Sequence, residues 1–281
     1  MAALVLLAAA CSVGTAWADE PAGESGVAPP GWWLVRPKDV EPKLLDWARR
    51  FSERVSLDRE KTLGGHTAYG VTVTAPGGDA QAKRRLVFSQ PHAHEPGATA
   101  GMMDFLAQLL EGKHLDGRAT DLDRERLLAR TVLTFIPIGN PDGSARAPAF
   151  WWDGRTWTNE EFLDMAFGRG RDGKRFPRQG RWSERDQQPA LLGFVYEKIN
   201  DHEYVEPNRD PDSTFFKLVR RALDKGCDLH VDLHQTEFIG SKYNAMVILP
   251  FMQNDLPEAV RRANRRAAEA ILAAWKGAGA V

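Results

Sequence analysis

The sequence predicts an α/β fold: a mixed, largely parallel central sheet with helices on both faces. Three observations point there. Short apolar runs of strand length recur, as "RRLVFSQ", "RTVLTFIPI" and "CDLHVDLH". Between them stand segments whose apolar residues repeat at helical spacing. Strands alternating with helices build sheets covered on both faces, because each parallel crossover lays a helix against the sheet. The 281 residues, 43% hydrophobic and 27% charged, suffice for one sizeable core.

Taken in order, the N-terminus is expected to be a leader rather than part of the fold. Residues 2–10 are unbroken apolar, too short to span a bilayer. Ala16-Trp17-Ala18 then offers the small-x-small pattern of a signal peptidase site. The expected division is a signal peptide at 1–18, a linker at 19–31 and a single domain at 32–281, which implies a periplasmic or secreted protein. A buried N-terminal helix and a lipoprotein anchor at Cys11 are the alternatives. No Lys or Arg precedes the apolar run, and Ala8 stands where a lipobox has leucine. With the leader removed, Cys227 is the one remaining thiol, so no intrachain disulfide can form.

Residues 40–55 carry Leu44, Leu45, Trp47, Ala48, Phe51 and Val55 at helical spacing. "TAYGVTVTA" alternates like a strand, with "PGGD" as a turn after it. "RRLVFSQ" is a short buried strand. Residues 98–110 form a helix by the period of Met102, Phe105, Leu106, Leu109 and Leu110. "RTVLTFIPI" is the next buried strand, ended by "GNPDG". Residues 211–222 are helical, capped by Asp212 or Ser213. "CDLHVDLH" and "NAMVILPF" are strands. Residues 254–273 form a helix whose Leu256, Val260, Ala263, Ala267, Ala270 and Ile271 line one side. Residues 147–195 break this rhythm: dense in Trp, Arg and Gly, they read as a long excursion of the kind that walls a pocket. Aromatic residues there could equally cover the core. The formal net charge of −1 gives no reason to expect nucleic acid or an anionic membrane as partner.

The chemistry concentrates in "PHAHEPG". His92 and Glu95 are three apart just after a strand, where a tight turn lets i and i+3 point the same way. Imidazole nitrogen and carboxylate oxygen both suit Zn²⁺, and a catalytic zinc usually takes three protein ligands. The third is expected at another strand end. His230, Asp232 and His234 share one face of "HVDLHQTE" by pleat parity. His234 lies furthest toward the C-terminal edge, where open α/β sheets place their ligands. A solvated turn histidine remains the plain alternative. Asp232 either orients an imidazole or makes an ordinary cross-strand contact. His94 is expected at the pocket rim, and His66, His114 and His202 in solvent.

The order of these motifs resembles that of the zinc carboxypeptidases (carboxypeptidase A-like): "HAHE" at 92–95, "NPDG" at 140–143 and "DLHQ" at 232–235. The resemblance runs from about residue 40 to the end. It implies a zinc cofactor on His92, Glu95 and His234. It also implies a metallocarboxypeptidase that hydrolyses C-terminal peptide bonds by metal-activated water, with a peptide as partner, no nucleic acid and no membrane span. The family's Asp-x-Asn-Arg stretch, whose arginine binds the substrate carboxylate, is matched by "EPNR", with Glu206 in place of aspartate. Asn208 and Arg209 are carried over from it, and Arg155 is the candidate for polarising the scissile carbonyl. The aspartoacylase-type deacylases share the HxxE and a strand end like "DLHQTE", so N-acyl amino acid deacylation is an alternative.

In the family the general base is a glutamate on a strand beyond the helix that follows the third ligand. After His234 the glutamates are Glu237, Glu258 and Glu269. None fits that position, so the base is expected beyond Val281, with the last strands of the sheet. A zinc-binding pseudo-enzyme lacking the base is the third alternative.

Overall fold

The three apolar runs expected as strands lie side by side in a seven-stranded sheet. The computed structural model describes residues 5–9, 29–77, 79, 81–93, 95–147, 158–178, 180–235 and 245–279. Its elements begin with β1 (Val5–Ala9), α1 (Pro37–Arg50), β2 (Val55–Lys61), β3 (Thr67–Val73), β4 (Arg84–Ser89), α2 (Pro96–Glu111), α3 (Arg124–Arg130) and β5 (Thr131–Ile136). Then come α4 (Pro141–Arg146), α5 (Asn159–Phe167), β6 (Gly168–Gly170), β7 (Trp182–Ser183), β8 (Pro189–Leu192), β9 (Glu197–Lys198) and β10 (Glu203–Val205). The chain continues through α6 (Thr214–Asp224), β11 (Leu229–His234), β12 (Val247–Ile248) and α7 (Glu258–Gly277).

The sheet order is β12-β1-β11-β4-β5-β3-β2. The middle strands β1, β11, β4 and β5 run parallel, while β12, β3 and β2 are antiparallel to their neighbours. The fold is therefore mixed α/β, parallel at its centre. Val5–Ala9, within the expected leader, pair along β11 from Val5↔His230 to Ala9↔His234.

Helices cover both faces. On one, Trp47 of α1 and Met102, Leu106 and Leu109 of α2 bury against Val71, Val73, Leu133 and Phe135. Each such side chain removed from water contributes about 1.5–3 kcal/mol. On the other face α6 lays Phe215, Leu218 and Val219 against Ala68 and Ile136. Ser213 caps α6 by accepting from Phe216 N. No helix among the described residues is long and apolar enough to cross a membrane.

Three expectations need correction. The helix expected at 40–55 ends at Arg50; Phe51 leaves helical geometry and Val55 opens β2. That strand lies at the sheet edge and is polar, so no apolar run marks it; Arg221 of α6 pairs with its Asp58 and Glu60. In α7 the buried positions are Asn264 and Ala268, with Ala267, Ile271 and Trp275 packed beside the Val231 cluster. The buried stripe is thus rotated from the expected one, because Asn264 turns inward to donate to Gln253 Oε1 at 2.6 Å. The segment 147–195, from Thr158 on, is no bare surface loop. Phe176 stacks on Trp182 at 3.8 Å and Trp182 on Tyr204 at 4.4 Å, forming a buried aromatic core of its own.

Glu197 on β9 ties this excursion to α6. It is 2% exposed and both oxygens accept from Thr214 N at 3.0 Å. Burial pushes its carboxyl up to about 7, against the pull of the Thr214 bonds. The folded state then holds a proton that the unfolded chain releases near 4.5. Its contribution to stability is complete below that value and is lost as pH rises toward 7. Between about pH 5 and 8 the wild type is expected to lose about 2–3 kcal/mol more than Glu197→Gln, at about 1.4 kcal/mol per pH unit. Urea unfolding of both proteins across that range measures it; parallel profiles would refute it.

Candidate metal centre

β4 and β11 are adjacent and parallel, so the residues that follow them emerge at the same sheet edge. After β4 the chain turns through Pro91–His92 into α2, with Glu95 as the residue before the helix. His234 closes β11 beside that turn. The structure brings His92, Glu95 and His234 together, with one potential ligand atom from each lying within 4.8 Å of the others. His92 and Glu95 are buried, 4% and 2% exposed.

The orientation of the two rings is informative. His92 Nδ1 lies 2.8 Å from Glu95 Oε1, and His234 Nδ1 lies 3.0 Å from Glu95 Oε2. The two Nδ1 atoms are 3.1 Å from each other. On the far edges, His92 Nε2 meets Glu206 Oε1 at 2.7 Å and His234 Nε2 meets Asp232 Oδ2 at 3.1 Å. A carboxylate only accepts, so both Nε2 atoms carry hydrogen. Neutral rings then turn two bare Nδ1 lone pairs and an anionic carboxylate onto one point. Without a cation, the rings must protonate. Burial alone pushes His92 down, but Glu95 and Glu206 outweigh it and hold the imidazolium up to about 10. Glu95 and Asp232 likewise hold His234 up to about 9 against its burial. Burial raises Glu95, and the two rings overcome that and hold it well below the usual carboxylate range. The donor set fits a divalent cation of nitrogen and oxygen preference, zinc among them.

Two amides brace the centre. Gln90 Nε2 donates to His92 O, fixing the turn. Gln235 Oε1 accepts from Gly97 N at 2.9 Å, joining the end of β11 to the start of α2. A Cβ on residue 97 would stand 2.6 Å from that oxygen, so a larger residue there would push the Gln235 side chain off its bond to this amide.

The "EPNR" stretch comes within reach through its first residue. Glu206 is 2% exposed and accepts from His92 and also from Arg209 Nε. Burial would raise it; the His92 and Arg209 contacts hold it below its ordinary value. Arg209 is 35% exposed, and Asn208 Oδ1 is buried with no hydrogen-bond partner among the described residues. Arg155, His94, Glu237 and Cys11 lie outside the described residues. Glu258 and Glu269 are exposed on α7, Glu258 paired with Arg262. His66 and His114 are not merely solvated: each Nδ1 bonds a carboxylate, Asp142 and Asp104 respectively.

Two residues at the site carry no role in the sequence pattern: Glu206, where the family stretch has aspartate, and Ser89. The signal for Ser89 was a polar residue in an apolar run, opposite Asp232 in the β4–β11 register.

"NPDG" is a short helix start rather than a plain turn. Asn140 caps Gly143 N at 2.8 Å and donates to Val195 O at 2.9 Å. A Cβ on residue 143 would stand 2.0 Å from Phe194 O, so glycine lets the excursion close against this turn. Asp142 accepts from Thr62 Oγ1 at 2.6 Å, Gly64 N at 3.1 Å and His66 Nδ1 at 2.8 Å, clamping the β2–β3 turn.

A family model described as zinc carboxypeptidase matches residues 43–236. No curated protein sequence matches the chain. Among solved structures, carboxypeptidase A from Helicoverpa armigera shares 13% identity at a TM-score of 0.46, covering 76% of this chain and 50% of that one. A metallo-carboxypeptidase from Burkholderia cenocepacia shares 18% at 0.42, covering 71% and 41%. A metallo-carboxypeptidase from Pseudomonas aeruginosa, in complex with (2-guanidinoethylmercapto)succinic acid, shares 19% at 0.38, covering 71% and 40%. The chain spans half or less of the length of these structures.

Asp142→Ala takes the acceptor from Gly64 N–H and leaves the Thr62 hydroxyl only His66 O, at 3.3 Å. The expected cost is about 1–3 kcal/mol of stability, read from the urea midpoint. An unchanged midpoint would show that the clamp carries no energy.

Proposed function

Because the chain belongs to the zinc carboxypeptidase family, we propose that it binds one zinc ion through His92 Nδ1, Glu95 and His234 Nδ1 and removes C-terminal residues from peptides. The observation that carries this reading is the pair of Nδ1 atoms 3.1 Å apart, each ring held from behind by a carboxylate. Zinc there supplies a Lewis acid that lowers the pKa of water and polarises a carbonyl.

The chain's own residues do the rest of the positioning. Glu206 and Asp232 hold the outer ring protons, which keeps both Nδ1 lone pairs inward; such outer partners also raise ligand basicity. Arg209 spends Nε on Glu206, and its terminal nitrogens make no hydrogen bond to another described residue. A guanidinium with that edge open suits the α-carboxylate of a peptide C-terminus. Asn208, beside it with an unpartnered buried oxygen, suits a peptide N–H. The leader pattern at 1–18 supports action outside the cytoplasm. Cleavage after Ala18 would withdraw β1 from the sheet, so the leader and the strand are alternative fates of the same residues.

Metal analysis of the purified chain is expected to show one zinc per molecule, and His92→Ala and His234→Ala are each expected to abolish it. Unchanged zinc in both variants would remove the metal site. With zinc bound, peptides ending in a free carboxylate are expected to lose their last residue, and C-terminally amidated peptides to resist. Equal turnover of the amides would point to endopeptidase or amidase action, and preference for N-acetyl amino acids to the deacylase chemistry.

A further inference from the structure

Two buried polar residues behind the metal centre have no part in the reading above. Ser89 is fully buried and His230 is 4% exposed. They lie on the sheet face that α6 covers, and the residue beside Ser89 on β5 is the fully buried Ile136. An apolar side chain would serve the packing there without the cost of about 1–3 kcal/mol that an unpaired buried polar group carries. The polar pair instead connects to a single acceptor. Ser89 Oγ donates to Asp232 Oδ1 at 2.5 Å, and His230 Nε2 lies 2.9 Å from Ser89 Oγ.

The direction of every bond in this chain is fixed. Asp232 only accepts, so the one hydroxyl hydrogen of Ser89 points at Oδ1. Ser89 Oγ must then accept from His230, which places the ring hydrogen on Nε2. His230 Nδ1 is left bare, and it is indeed buried with no hydrogen-bond partner among the described residues. The other carboxylate oxygen, Oδ2, faces His234 Nε2. The polarity runs His230 to Ser89 to Asp232, and from the other side His234 to Asp232.

We infer that His230 and Ser89 are positioning residues for the metal: through Asp232 they fix the angle of the His234 ring and the choice of Nδ1 as its inward atom. This rests on the zinc site proposed above. Held from one side only, the Asp232 carboxylate could rotate about its χ2 bond, and the His234 lone pair would lose its aim.

The test is the zinc dissociation constant of the full chain, by competition with a chromophoric chelator, beside the urea midpoint of the metal-free protein. Ser89→Ala and His230→Leu are expected to weaken zinc about tenfold, the lower end of what outer partners of metal ligands contribute. His230→Gln is expected to retain wild-type affinity, because its amide nitrogen reaches the place of Nε2 and still donates to Ser89. A merely structural role would lower the metal-free midpoint and leave zinc affinity alone, and that result in Ser89→Ala overturns the inference. Should Ser89→Ala fail to fold, equal zinc affinity of His230→Leu and His230→Gln overturns it instead. A wild type that takes up no zinc removes the metal reading and this chain with it; wild-type zinc binding with indifferent variants removes the chain alone.

Discussion

Three electron-pair donors aimed at one point are electrostatically unfavourable unless a positive charge sits among them, and the architecture around the site serves that demand. His92 and His234 turn Nδ1 inward because Glu206 and Asp232 occupy their Nε2 edges. Those carboxylates are themselves anchored, Glu206 by Arg209 and Asp232 by Ser89. Each imidazole is thus the middle link of a chain that ends at the cluster, begun at the half-buried Arg209 for His92 and at the buried Ser89 for His234. Burial of His92, Glu206, Asp232 and Ser89 strengthens the contacts among them, since a buried charge–dipole contact is poorly screened by water.

The two chains draw on different parts of the fold. The His234 side depends on strand register: Asp232 and Ser89 face each other because β11 and β4 pair in that alignment. A slip of one residue would send the polar set to the opposite face. The His92 side depends on the excursion. Glu206 follows β10, and β10 is held by the stack of Phe176, Trp182 and Tyr204. Ala93, between the two ligands of the turn, packs into that same aromatic cluster. The Trp-rich segment therefore packs a core against the turn that carries His92. Its core sets the height at which Glu206 meets His92.

Legibility in the sequence followed the same division. The buried strands announced themselves through apolar runs, and the strand-end positions of His92, Glu95 and His234 could be read from those runs and pleat parity. The polar edge strand β2 could not, because no apolar run marks it and its partner Arg221 is distant in sequence. Nor could the inward face of α7, where the buried Asn264 defeats a count of apolar side chains. Glu206 illustrates the limit best. In sequence it is a glutamate where an aspartate was expected; only the folded excursion brings its longer side chain onto His92.

β11 bears the ligand that closes the cluster, and its two neighbours bind it differently. Toward β4 the backbone pairing is reinforced by side chains, with Ser89 joined to both His230 and Asp232. Toward β1 it rests on five paired residues of a segment that also carries the leader pattern. Removing β1 would take the backbone partner from one side of β11 and leave the other intact. Among the described side chains, this chain of hydrogen bonds crosses the β4 boundary. The candidate centre is therefore tied by side chains to the β4 side of the strand, and the geometry of His234 is set by β4 and β11 as a pair.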